Sequence, residues 1–149
     1  MNKIMIGETQ ENDSDGPERV REPDLELALV FDKEGNTIAW HEPEGRTSCF
    51  IPDSDAHWDS LWDNRHRLGG TAHIHPWDGK AHPSFIDLTT WAAFEGGLGR
   101  RTWVIVTYTD EVHYRWVGPG RLDYAGLSIP TVRVDAEGLR EKSRRCSNG

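Results

Sequence analysis

Cysteine is scarce in this sequence. Its 149 residues include two, Cys49 and Cys146, too few for a disulfide framework and without the Cys-x-x-Cys pairing of a structural zinc site. A metal bound here would be held by other side chains. No run approaches the roughly 18 apolar residues of a membrane-spanning helix, and MNKIMIGETQENDSDG lacks the hydrophobic region and small-residue cleavage site of a secretory signal. These absences read as a cytoplasmic protein. An excess of positive charge is missing too. The formal net charge is −8, so the electrostatic footprint of a nucleic-acid binder is absent, and an anionic membrane surface would repel the chain. Internal repeats and low-complexity blocks are also lacking, and the length suits one domain.

Residues 1 to 23, ending in the polar, proline-broken TQENDSDGPERVREP, read as a flexible leader. LELALVF and TIAWHE flank the turn DKEGN as a hairpin, and TSCFIP is a candidate third strand. From Asp53 the period changes. Trp58, Leu61, Trp62, Arg65 and Leu68 recur at three and four residues, which predicts a helix capped by Ser54 or Asp55 and ended by Gly69-Gly70. TAHIHP follows as a short strand. Residues 85 to 97 predict a second helix with Phe85, Leu88, Trp91 and Ala92 on one face, stopping at Gly96-Gly97. RTWVIVTY and EVHYRWV alternate around TDE, PTVRVDA is a candidate last strand, and residues 137 to 149 form a basic C-terminal tail, expected to be frayed. Strands interleaved with helices predict an α/β fold over residues 24 to 136, a mixed sheet flanked by helices in an α-β-α sandwich. Of the seven tryptophans, Trp40, Trp58, Trp62, Trp91 and Trp103 read as core. Asp55, His57, Asp59, Asp63 and His66 read as the solvated face of the first helix, with Asp63 able to pair with Arg67. His41 and His113 read as ordinary structural residues of strands.

The chemistry is concentrated in HIHPWDGKAHPSFID. On an extended strand residues i and i+2 face the same side, so His73 and His75 present both rings to one point while Ala72 and Ile74 pack behind them. Pro76 ends the strand, and the loop that follows is long enough to bring Asp87 back as a third ligand. Three nitrogen or oxygen ligands with a vacant fourth position suit hydrolytic zinc. Each piece also has a plainer account. Ser84 to Asp87 is a helix capping box on its own terms, and two strand histidines can simply be half-buried hydrogen-bonding residues.

His-x-His-Pro, seven residues, Ser, two residues, Asp resembles the core motif of the JAMM (MPN-plus, JAB-domain) zinc metalloproteases of the prokaryotic type, with every fixed position filled. The order of elements over residues 25 to about 117 is similar as well. The resemblance implies one Zn2+ held by His73, His75 and Asp87. It implies Ser84 as hydrogen-bond donor to the oxyanion, and an upstream glutamate acting on the attacking water. Glu26, 47 residues before His73, fits that place best, with Glu42 and Glu44 as rivals and Glu22 a weaker one. Trp77 and His82 are candidates to touch substrate or line the entrance. The implied activity is hydrolysis of the peptide or isopeptide bond after the C-terminal glycine of a ubiquitin-like protein, in deconjugation or precursor processing. Activating and conjugating enzymes of the same pathway are then possible partners. Two alternatives stay open: a peptidase acting on an adduct of a small sulfur-carrier protein, and a catalytically silent module of this fold that binds a ubiquitin-like partner.

Overall fold

The computed structural model describes residues 24–48 and 50–146; the expected leader, Glu22 and Cys49 lie outside the described residues. Six strands form one mixed sheet in the order β2-β1-β3-β4-β5-β6: β1 (Ala28–Asp32), β2 (Thr37–His41), β3 (Leu68–Ile74), β4 (Thr102–Val106), β5 (Glu111–Trp116) and β6 (Tyr124–Gly126). All neighbours are antiparallel except β3 and β4. Parallel strands need a crossover, and α2 (Phe85–Leu98) supplies it; α1 (Asp55–Asp63) precedes β3 and α3 (Ala136–Cys146) ends the fold.

Strand alternation explains the layers. Leu27, Leu29, Phe31, Ala72, Ile74, Val104 and Val106 point to one face and pack with Val134, Ala136 and Leu139 of the α3 region. Val30 and Leu68 on the other face pack with Leu61 of α1 and Leu98 of α2, and Trp103 and Ile105 pack with Trp91 of α2. The sheet therefore buries both faces. No helix among the described residues is long and apolar enough to cross a membrane.

Several predicted elements fall elsewhere. TSCFIP forms only an isolated bridge between Thr47 and Phe50. The first helix stops at Asp63, where the Asn64 side chain donates to Ser60 O at 2.7 Å, and Gly69-Gly70 belong to β3 instead. A side chain at Gly70 would place its Cβ 1.6 Å from Thr102 O, so only glycine admits this closeness of β3 to β4. α2 runs through Gly96-Gly97 and ends at Gly99, whose φ of 79° a residue with a side chain rarely adopts. Its inward face holds Trp91, Glu95 and Leu98, whereas Phe85 is 70% exposed.

PTVRVDA is not a strand; β6 is formed by Tyr124–Gly126. The tail expected to fray is α3. Asp135 accepts the Gly138 N–H at 2.9 Å, Leu139 is fully buried, and Arg140 donates to Thr107 O at 2.8 Å and Asp110 O at 3.2 Å. One narrow buried stripe anchors a helix whose remaining positions are mostly charged. Trp62, expected in the core, is 40% exposed with Arg65 4.1 Å over its ring.

Candidate metal centre

His73 lies near the C-terminal end of β3, paired to Ala28 on one side and Ile105 on the other. His75 follows the strand, and its N–H still donates to Val106 O at 2.8 Å. Their matching parity aims both rings to the helix face covered by α1 and α2, and their Nε2 atoms stand 3.2 Å apart. Asp87 meets them from the first turn of α2. Its Oδ1 is 3.0 Å from His73 Nε2 and its Oδ2 is 3.1 Å from His75 Nε2.

The capping box is present as well: Asp87 N–H donates to Ser84 Oγ at 3.1 Å, and Ser84 N–H donates to Asp87 Oδ2 at 2.8 Å. One carboxylate thus closes the helix start and faces the imidazoles, so the plain reading of Ser84-x-x-Asp87 and the ligand reading are compatible.

Glu26 approaches from the extended segment ahead of β1, where its N–H donates to Thr47 O at 2.8 Å. It is 4% exposed. Glu26, His73 and His75 offer ligand atoms that all lie within 4.8 Å of one another, a buried group that could hold a metal ion. Glu42 and Glu44 are exposed, and Glu42 pairs with Lys142 at 3.1 Å.

The electrostatics follow from crowding four ionisable groups in a dry corner. Burial pushes the Glu26 carboxyl up to about 7, with His73 pulling it down and Asp87 pushing it further up. Burial would also raise Asp87, yet His73, His75 and the Ser84 N–H outweigh it and hold that carboxyl far below the ordinary range. Burial acts to lower His73, but Asp87 and Glu26 overcome it and raise it; His75 stays lowered, with burial dominant. Without metal, then, the shifts favour a proton on His73 facing Asp87 over one on His75. A cation of higher charge can replace that proton.

A cavity of about 70 Å³ adjoins these groups, lined among others by His41, His57, Ile86, Trp91 and Phe94. Two of its walls went unanticipated. His57, assigned to a solvated helix face, is 9% exposed and stacks on His41 from the end of β2. Burial, then His41 and His73, lower the His57 pKa to about 3. No spacing in the sequence links residues 41 and 57 to the motif, since they come from separate elements that meet only in the fold.

Trp77 stacks on the His75 ring with centroids 4.9 Å apart and is 43% exposed. His82 is exposed, near enough to Asp110 to act on its charge, and is not among the residues lining the cavity. His113 is buried in β5 and pairs with Glu111 at 2.6 Å, away from the site. No protein-family model matches this sequence, and no curated protein is similar enough to serve as a relative.

Proposed function

We propose that the chain is a zinc-dependent metallopeptidase of the JAMM type that hydrolyses the peptide or isopeptide bond after the C-terminal glycine of a ubiquitin-like protein. One observation carries the reading. His73 Nε2, His75 Nε2 and the Asp87 carboxylate converge with separations of 3.0, 3.1 and 3.2 Å beside the buried Glu26. Ligand atoms on a tetrahedral zinc stand roughly 3.3 Å apart, so the three donors suit three corners of such a site and leave the fourth for water. When bound, the metal would lower the pKa of that water from about 15.7 toward roughly 7 and polarise the scissile carbonyl.

The remaining work belongs to side chains. Glu26, buried beside the three donors, is the base that takes a proton from the attacking water and passes it to the leaving nitrogen. Ser84 Oγ accepts the Asp87 N–H with a lone pair, which frees its O–H to donate to the oxyanion. Such a donor contributes about 3 kcal/mol to the transition state.

The small cavity supports the substrate class. About 70 Å³ accommodates a few waters but no bulky side chain, and a substrate with glycine at the cut requires no side-chain pocket. Phe50 and Ile86 line the cavity and are exposed and apolar, which suits an extended tail lying across it.

The test is cleavage of ubiquitin-like fusion proteins by the zinc-loaded chain and by its Glu26→Gln variant. Cleavage by the first alone is the expected result. Failure of the zinc-loaded chain on every fusion would favour the silent binding module.

A further inference from the structure

A second and larger cavity opens at the far end of the sheet. It has a volume of about 590 Å³, within the roughly 300–1,000 Å³ common for small-ligand sites. Gly69 and Thr102 line it, at the beginnings of β3 and β4, whereas His73 lies near the other end of the same parallel pair and His75 just past it. Among the described residues its wall includes Lys33, Arg100, Arg101 and Arg115 and no carboxylate, in a chain whose net charge is −8.

The partners of these cations orient them more than they neutralise them. Of the four, Arg100 alone has a carboxylate partner among the described residues, Glu95 at 2.8 Å, and it lies 3.7 Å over the Trp116 ring. Arg101 donates to the carbonyl oxygens of Leu98, Leu68 and Arg65 at 2.6 to 3.1 Å, which hold the guanidinium without cancelling its charge. Arg115 Nε donates to the neutral Thr102 Oγ1 at 2.9 Å, leaving both of its Nη groups for a ligand. Lys33 has no ion pair among the described residues. Of the two acidic residues beside it in sequence, Asp32 accepts the N–H groups of Glu34 and Asn36, and Glu34 accepts from the Asn36 side chain at 3.5 Å.

Like charges gathered in a concave wall repel one another and focus a positive potential into the space they enclose. A bound anion relieves that repulsion. Guanidinium groups with free Nη atoms match oxyanions that accept two parallel hydrogen bonds, and several cations around a small volume favour several negative charges on one compact group. We infer that this cavity binds a small polyanion of the phosphoryl class, either inorganic pyrophosphate or the phosphate chain of a nucleotide. The inference is independent of the metal centre.

The experiment titrates pyrophosphate, and separately ATP, into the full chain by calorimetry and follows backbone amide shifts by NMR. Citrate and an acidic peptide serve as competing probes. Saturable one-to-one binding with shifts centred on Gly69, Thr102 and Thr131 is the expected result. The Lys33→Gln/Arg115→Gln double variant should bind at least about tenfold more weakly, and it spares the structural bonds of Arg101. Equal affinity for the two probes assigns recognition to the phosphate chain alone, and tighter binding of ATP makes the nucleotide the ligand. No saturable binding, unchanged affinity in the folded double variant, or tighter binding of citrate or the peptide than of pyrophosphate would overturn the inference. Shifts confined to His73 and His75 would overturn it too, by putting the anion at the metal centre; that measurement needs only the unsubstituted chain.

Discussion

His41 and His57 lie face to face, with ring centroids 3.8 Å apart and planes 11° from parallel. A stack this close, buried beside His73, tolerates neutral rings far better than charged ones. Unfolded, His57 titrates near its ordinary 6.5; folded, it titrates near 3. The native state thus binds fewer protons between those values. The stabilisation is complete above pH 6.5 and is lost as pH falls toward 3. Replacing His57 with Phe removes this contribution. Urea denaturation of the metal-free chain at pH 7 and pH 4 should show a loss for the unsubstituted chain that exceeds the variant's by on the order of 2 kcal/mol. Equal losses would exclude His57 as a source of acid lability.

The geometry around Asp87 makes a separate prediction about metal. Substituting Asp87 with Ala removes a donor that reaches both Nε2 atoms, and should weaken zinc binding by more than the roughly 10–100-fold lost with outer-sphere partners. Competition with a chromogenic chelator gives the affinity directly. Retention of full affinity would remove Asp87 from the ligand set.

Glu26→Gln separates a base from a ligand. A base alone leaves zinc stoichiometry intact while kcat falls by roughly 10²–10⁴. Loss of metal together with activity would instead make Glu26 a ligand. The same variant has a pH signature in metal-free protein. Because the folded pKa is raised, the stability contributed by the protonated carboxyl is fully present below about 4.5 and is lost as pH rises through about 7. The glutamine variant should not share that loss in thermal melts between pH 5 and pH 8.

A structural carboxylate provides a stability prediction away from the centre. Glu95 is 7% exposed and accepts from Trp103 Nε1 at 2.7 Å, Tyr124 Oη at 2.7 Å, Arg100 at 2.8 Å and the Arg101 N–H at 3.1 Å. Glu95→Ala strands these donors at the junction of α2, β4 and β6. A destabilisation of about 3 kcal/mol is expected from chemical denaturation; a change under about 1 kcal/mol would mean that water replaces the carboxylate freely.

Much of the architecture is legible in local patterns. Alternation of the strands reported both buried faces, and the parity of His73 and His75 reported their shared direction. Less was legible where a residue's role depends on what approaches it from afar. Gly69-Gly70 look like a helix stop, yet they serve the contact with Thr102 O. Trp62 fits helical spacing but packs under Arg65 at the surface. LREKSRR looks too polar to fold, but a helix with Leu139 and Ser143 turned inward requires little more. At the metal centre, the Ser84-x-x-Asp87 spacing was visible, while the His41–His57 wall was hidden because its members are brought together only by the sheet edge and α1.

Through Ser143, α3 reaches the strand entry beside the candidate metal centre. Its Oγ donates to Leu25 O at 2.8 Å and accepts from Tyr108 Oη at 3.2 Å, so the backbone next to Glu26 is fastened by a residue 118 positions later. Loosening α3 would therefore release one fastening of the segment that carries Glu26, although no α3 residue lines the cavity.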